Sequence, residues 1–211
     1  MKMPWRGLVA ACLALGWTGS AAAYDELPRG LAKLTPAEVV DRIRVDDEVL
    51  EPHIVVSTQK AWDRGRRIEG AHASDVHLRA LVDRESGAVR WQVWHELVYD
   101  SAAREMVGVN YRVDGRLQRA GLVVAEQWQD DCPGVDAAEI SCNRYARFVF
   151  EIPDRAMQEI AAAYRPDSRA PWRLRFKDVN GGSITSGLAP AEAAGLLKAV
   201  AQVRGERLAG G

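Results

Sequence analysis

The stretch that most constrains the fold is residues 76–100, VHLRALVDRESGAVRWQVWHELVYD. Apolar and polar residues alternate on both sides of the turn Glu85-Ser86-Gly87-Ala88, and a period of two is typical of β-strands that bury one face. We therefore predict a β-hairpin with Trp91 on the buried face and Trp94 on the opposite face. This hairpin makes an antiparallel sheet the body of the protein.

The length of the hairpin loop fixes its register. A two-residue loop at Ser86-Gly87 pairs Val82 with Trp91, Arg79 with Trp94, and His77 with Glu96. A three-residue loop that ends at Gly87 would instead place Val82 against Arg90 and mix the two faces. The pattern favours the two-residue loop, which gives one apolar face and one face with a cation–π pair.

The first 23 residues have the pattern of a secretory signal peptide. Lys2 and Arg6 precede the apolar run Gly7–Trp17, and small residues follow up to Ala23. A basic start, a short apolar run and a small-residue cleavage site define such a peptide. We predict that residues 1–23 are removed and that the protein is periplasmic or secreted. A lipid anchor at Cys12 is the alternative, although it leaves almost no apolar run before the cysteine.

Residues 24–211 have a length that suits a single domain with a sizeable core. The formal net charge of the sequence is −1, and loss of Lys2 and Arg6 with the leader makes the chain more acidic. We therefore expect no nucleic-acid partner. No stretch after the leader is long and apolar enough for a transmembrane segment, which takes about 20 residues.

Two cysteines, Cys132 and Cys142, remain after removal of the leader. An exported protein meets an oxidising compartment, so we predict that they form a disulfide bond. The spacing differs from the Cys-x-x-Cys motif of redox-active pairs.

The rest of the chain predicts an α+β fold. Capping residues Thr35 and Glu38 open a helix over 36–44, and further amphipathic stretches predict helices over 154–164 and 190–204. Asp114-Gly115 is a strong hairpin turn, and a strand is expected from Leu117 to Gln127. Successive hairpins predict one antiparallel meander sheet of about seven strands, packed by N-terminal, middle and C-terminal helices.

No motif in the sequence defines a catalytic, metal or cofactor site. His95-Glu96 lacks the second histidine of a zinc-protease motif, and there is no Walker loop and no Gly-x-Ser-x-Gly after the leader. His53, His72, His77 and His95 lack ligand spacing, although His72 and His77 could meet through the loop between them. We predict no catalytic residue, no metal and no cofactor.

Two segments are candidates for binding. The first is the long stretch 59–75, which has no periodicity and carries arginines, a tryptophan and a histidine, since long loops are often functional. The second is the polar face of the hairpin, where Trp94 either lies under a terminal helix, which we favour, or contacts a ligand. The candidate binding residues are Trp62, Arg64, Arg66, Arg67, His72, His77, Arg79 and Trp94.

A basic row follows one late strand, where Arg173, Arg175 and Lys177 alternate with large apolar residues. Such a row could bind an acidic polymer or a lipid headgroup. Charge on an exposed strand also keeps the edge of a sheet soluble, and we favour that interpretation.

These features together predict a non-catalytic exported protein that binds an envelope component or a protein partner. One alternative is a hydrolase of envelope polymers with a site near His72, Asp75 and His77. The other is a carrier of a small apolar ligand, which requires a cavity between sheet and helices.

Overall fold

The computed structural model describes residues 26–59, 61, 73–99, 104–129 and 144–210. The predicted leader and the cysteines Cys132 and Cys142 lie outside them, so the leader and the disulfide stay predictions. The elements of the described residues are α1 (Arg29–Ala32), α2 (Pro36–Arg42), β1 (Arg44–Asp46), β2 (His53–Ser57), β3 (Ala73–Asp83), β4 (Val89–Tyr99), β5 (Met106–Val113), β6 (Arg116–Ala120), β7 (Val124–Gln129), β8 (Arg144–Ile152), α3 (Asp154–Ala162), β9 (Trp172–Asp178), β10 (Ser183–Leu188) and α4 (Pro190–Gly210).

The strands form two antiparallel sheets. The larger sheet has six strands in the order β1-β2-β3-β4-β8-β7, and the smaller has four in the order β10-β9-β5-β6. The predicted α+β class with antiparallel pairing is confirmed, but the prediction of one seven-stranded meander is wrong. After β4 the chain leaves the large sheet to build β5 and β6, and it returns only with β7 and β8.

The break between the sheets lies inside the stretch that we predicted as one strand, Leu117–Gln127. β6 ends at Ala120 and β7 begins at Val124, so residues 121–123 connect a strand of the small sheet to a strand of the large one. The predicted hairpin turn before it is confirmed, since Asp114 and Gly115 have φ of 50° and 69°. The connection begins with Gly121 and is only three residues long. A single glycine also occurs within strands, at bulges, so the sequence did not show that one strand ends here and another begins.

The central hairpin is confirmed, but its predicted register is wrong by two residues. Val82 lies opposite Val89, and His77 lies opposite Trp94. Asp83 accepts hydrogen bonds from the Ser86 amide at 2.8 Å and the Ser86 hydroxyl at 2.6 Å, and the Asp83 amide donates to the Ala88 carbonyl. The loop therefore has four residues, closed by Gly87 at φ +67°. A shift of two residues keeps each side chain on its predicted face.

The core lies between the two sheets and under two helices. Phe176 of the small sheet packs against Phe148 and Phe150 of the large sheet, with ring centroids 5.9 Å apart in both pairs. Helix α3 approaches the same side of the large sheet, where Asp154 accepts a hydrogen bond from the Trp91 indole. Trp91 is buried, as predicted. The sheet's core side is thus occupied by the other sheet and by helices.

Helix α2 begins where capping chemistry places it. Thr35 and Glu38 form the predicted capping box, with the Thr35 amide donating to the Glu38 carboxylate at 2.8 Å. That hydrogen bond is the largest of the effects that lower the pKa of Glu38. The short helix α1 precedes α2 and has no side-chain cap among the described residues. No helix of the described residues is long and apolar enough to cross a membrane.

Candidate functional site

The side of the six-stranded sheet that points away from the core carries polar and aromatic side chains. Because alternate residues of a strand share a face, the register of β3, β4, β8 and β7 brings them together. We call this surface the outer face; its central members are Asp75, His77, Arg79, Gln92, Trp94, Glu96, Glu126, Trp128, Tyr145 and Arg147.

Trp94 lies at the centre of the outer face between two guanidinium groups. The Arg79 guanidinium carbon is 3.7 Å from the centroid of the Trp94 ring, and that of Arg147 is 5.3 Å away. Both distances fall within the range of cation–π attraction. The Trp94 indole also donates to the Gln92 side chain at 3.1 Å, so the ring is held both at its face and at its edge.

The two arginines differ in how their charge is balanced. Arg147 forms ion pairs with Glu96 at 2.9 Å and with Glu126 at 3.2 Å. Arg79 forms no ion pair with any of the described residues; its Nη2 donates to the Gln59 side chain at 3.3 Å, and its buried Nε has no hydrogen-bond partner. Arg79 is therefore a positioned cation that forms no ion pair within the described part of the chain, although Glu96 and Asp46 lie near enough to attract it.

Burial removes part of the water around the Arg79 guanidinium. Desolvation is the first cause that lowers the pKa of its guanidinium, with the attraction of Glu96 opposing it. The group still remains protonated, because the ordinary pKa of arginine is far above neutral pH. A partly desolvated guanidinium interacts more strongly with an incoming anion than a fully hydrated one does.

A polar cavity of about 250 Å³ opens beside Arg79 on the outer face. Strands β1 and β2 form its other walls, and its lining residues are Arg44, Asp46, Val55, Ser57, Gln59 and Arg79. Arg44 and Asp46 lie 3.9 Å apart, both largely exposed, so this pair is weak. The cavity offers guanidinium, hydroxyl and amide donors to a ligand, together with the Asp46 carboxylate as an acceptor.

His77 lies under the same surface and is fully buried. Its Nδ1 is 3.2 Å from an Asp75 carboxylate oxygen, while its buried Nε2 has no hydrogen-bond partner among the residues that the structure describes. Burial is the first cause that lowers the pKa of the imidazole, and the hydrogen bond to Asp75 partly opposes it. The ring is also stacked on Trp94, with centroids 5.9 Å apart.

Three of these side chains could hold a metal ion. One ligand atom each of Asp75, His77 and Glu96 lies within 4.8 Å of the others, and a histidine with two carboxylates suits Zn²⁺ or Mn²⁺. Glu96 already pairs with Arg147, so a bound cation would compete with that guanidinium. His95 cannot join them, because it is buried on the core side against Phe176.

The structure brings three of the predicted binding residues together: His77, Arg79 and Trp94. The other predicted residues, Trp62, Arg64, Arg66, Arg67 and His72, lie outside the described residues. The prediction that a terminal helix covers Trp94 is wrong, since α3 and α4 contact the core side of the sheet through Trp91–Asp154 and Thr58–Glu192.

Sequence reasoning missed Arg147 and Gln59. The alternation in YARFVFEI places Arg147 on the same face as Tyr145, but nothing local indicates that this strand pairs with β4. That pairing brings Arg147 directly opposite Glu96.

The fold and the site define an α+β protein with two antiparallel sheets and a cation–aromatic cluster on the outer face of the larger one. No protein-family model matches the chain, and no curated protein or solved structure shows significant similarity to it.

Proposed function

We propose that this chain is an exported, non-catalytic protein that binds an envelope component or a protein partner through the outer face. The group that it recognises is anionic, a carboxylate or a phosphate, and Arg79 contacts it. The observation that carries this proposal is the half-buried Arg79 guanidinium, fixed on Trp94 and without an ion pair among the described residues.

The geometry of Arg79 supports anion recognition over a purely structural role. A guanidinium presents a planar fork of donors that matches carboxylate and phosphate oxygens. Stacking on Trp94 fixes this fork, so little side-chain entropy is lost when an anion binds. Arg147 contacts the same ring but already has two carboxylate partners. Its role is therefore structural, and it is the natural comparison for Arg79.

The size of the cavity beside Arg79 supports a large partner. Sites that enclose a whole small molecule usually span about 300–1,000 Å³, and this cavity has about 250 Å³. It therefore suits one group of a larger ligand, such as an acidic side chain or an acidic sugar, with the rest of the ligand lying across the outer face.

The two alternative functions have weaker support. The hydrogen bond between Asp75 and His77 is what a hydrolase would use, yet a general base must reach a substrate proton, and His77 has no exposed surface. A carrier of an apolar ligand needs free space inside the fold, whereas Phe148, Phe150 and Phe176 are fully buried between the sheets. Binding at the outer face uses a cavity that is already open beside Arg79.

The test compares tryptophan variants in capture from envelope extract. Trp62 and Trp94 are replaced with alanine, singly and together, and each immobilised variant is compared with the wild-type chain. Trp128→Ala is the matched control, because Trp128 lies on the same face but stacks on Tyr145, away from Arg79. We expect Trp94→Ala to lose captured material and the control to retain it. Unchanged capture by the double variant would end the proposal.

A further inference from the structure

The basic row of the small sheet does not protect an edge. Strand β9, which carries Arg173, Arg175 and Lys177, lies between β10 and β5. Edge protection was the interpretation that we favoured from the sequence, and the position of β9 removes it, because both sides of an interior strand are already hydrogen-bonded. The charges on this strand therefore need another explanation.

Neighbouring strands extend the row into a surface of one sign. β5 and β6 pair next to β9, and alternation puts Arg112 and Arg119 on the same side of the sheet as the row. We call this surface the basic face; it consists of Arg112, Arg119, Arg173, Arg175 and Lys177. The other positions on that side of the four strands are Gly108, Asn110, Leu117, Ser183, Thr185 and Gly187, so none of them carries a carboxylate.

Among the described residues, Arg112, Arg175 and Lys177 of the basic face donate hydrogen bonds only to neutral groups. Arg112 donates to the Gly115 carbonyl at 2.8 Å, Arg175 to the Thr185 hydroxyl at 3.3 Å, and Lys177 to the Gly181 carbonyl at 3.5 Å. These acceptors are neutral. Within the described part of the chain, no ion pair involves these three side chains or Arg119.

Two acidic residues at the ends of the small sheet, Asp114 and Asp178, have other partners. Asp114 lies 3.7 Å from Arg155, and the Asp178 carboxylate accepts from the amides of Asn180 and Gly182 in its own turn. Neither carboxylate belongs to the basic face. A concentration of cations on a chain with a formal net charge of −1 indicates a local anionic partner.

Exposed apolar side chains accompany these cations. Leu117 lies on the basic face with 54% of its surface exposed, and Val107 and Val179, at 55% and 50%, lie near the ends of β5 and β9. An open groove of about 500 Å³ runs past Val107 and is flanked by Arg119 and Lys177. Its floor includes Gly108, where an added Cβ would lie 2.9 Å from the Ala120 carbonyl oxygen.

We propose that the basic face docks on an anionic membrane surface, with lipid phosphates at Arg119 and Lys177 and with Leu117 entering the interfacial layer. Cations supply the attraction to anionic headgroups, and exposed apolar side chains gain by leaving water. A soluble polyanion would use the cations but offer nothing to Leu117 and Val107. This site is separate from the outer face and does not depend on the function proposed there.

The test is co-sedimentation of the full chain with vesicles. One set contains equimolar phosphatidylglycerol and phosphatidylcholine, and the other contains phosphatidylcholine alone. Binding to the second set measures any contribution of the apolar run Gly7–Trp17 of the full chain. The variants are Arg119→Gln with Lys177→Gln, and Leu117→Asp. The matched control is Arg90→Gln with Arg204→Gln, which removes two exposed charges elsewhere.

We expect the wild-type chain to bind the anionic vesicles more tightly, and added sodium chloride to weaken that binding. Loss of two cations should weaken it about 30-fold, at about fivefold for each charge. The control should lose less than about threefold, since its charges lie off the docking face. Leu117→Asp should also weaken binding, while melting temperatures stay close to wild type.

Three results would overturn the proposal. One is equal binding to both vesicle sets, and another is an equal loss in the control variant. The third is protection of the chain against thermal unfolding by inorganic phosphate together with no vesicle binding, which would show an ion site in place of a membrane surface.

Discussion

Arg79 contacts Trp94 across a diagonal of the sheet. The guanidinium carbon lies 3.7 Å from the ring centroid, although Arg79 is opposite Gln92 and Trp94 is opposite His77 in the ladder. Long side chains reach diagonal neighbours on the same face. The predicted contact is therefore confirmed even though the predicted register is wrong, since a shift of two residues keeps both side chains on one face.

Trp94 should contribute more to stability than Trp128 does. Trp94→Ala removes a half-buried ring together with its contacts to Arg79 and His77, at a cost of roughly 2 kcal/mol in the free energy of unfolding. Trp128→Ala removes a ring that is 42% exposed and stacked on Tyr145, at a cost of about 1 kcal/mol. Urea denaturation of both variants measures the difference, and an equal or reversed order would contradict the packing described here.

His77 should make the protein less stable in mild acid. Burial lowers the pKa of His77 in the folded state, whereas the unfolded chain titrates near the ordinary value of about 6.5. Below that value the unfolded chain binds a proton that the native protein excludes. The free energy of unfolding should therefore decrease as pH falls from about 7, by at most about 1.4 kcal/mol per pH unit from this group.

The measurement is the free energy of unfolding as a function of pH for the wild-type chain, His77→Asn and His77→Gln. Both substitutions remove the titrating group, so the decrease below about pH 6.5 should become shallower in each. Two variants are used because the amides of Asn and Gln lie at different distances from the backbone. A slope identical to wild type in both would show that His77 takes up its proton without cost.

Thr58 connects the start of helix α4 to the large sheet. Its hydroxyl donates to the buried Glu192 carboxylate at 2.9 Å and accepts from the Leu78 amide at 2.9 Å. Thr58→Val keeps the shape but removes both hydrogen bonds, so the free energy of unfolding should fall by roughly 2–3 kcal/mol. Thr58→Ser keeps the hydroxyl and should cost about 1 kcal/mol. Thermal and chemical denaturation measure both variants. An equal loss of stability in Thr58→Val and Thr58→Ser would show that the hydroxyl contributes nothing.

Gly195 lets helices α2 and α4 approach closely. A Cβ at this position would lie 2.5 Å from Val39 side-chain atoms and 3.0 Å from the Pro36 carbonyl oxygen. Gly195→Ala should therefore destabilise the protein by about 1–3 kcal/mol through overpacking. Gly205→Ala in the same helix meets no atom within 4 Å and should stabilise it by up to about 1 kcal/mol. Opposite shifts in melting temperature are expected, and a stable Gly195→Ala would contradict the helix contact.

Side-chain placement by face was accessible from the sequence. Alternation alone put Trp91 in the core and Trp94 outside, and local chemistry gave the capping box of Thr35 and the turn at Asp114. These features depend on residues within a few positions of one another, so a single stretch contains the information.

Long-range pairing was not accessible. β4 pairs with β8, which follows it by about fifty residues, and no local signal marks that choice. The hairpin register depended on Asp83, whose side chain holds Ser86 and lengthens the loop to four residues. The charge balance at Arg147 and Arg79 follows from these pairings, which is why the sequence identified Arg79 as a candidate but did not identify Arg147 or its two carboxylate partners.

The most direct test of the central claim compares these two arginines in capture from envelope extract. Arg79→Gln removes a cation that has no ion pair with the described residues, whereas Arg147→Gln removes one that is already paired with Glu96 and Glu126. We predict that the immobilised Arg79→Gln chain loses the material that wild type captures, and that Arg147→Gln retains it. Full capture by Arg79→Gln, or an equal loss in both variants, would contradict recognition of an anionic group by Arg79.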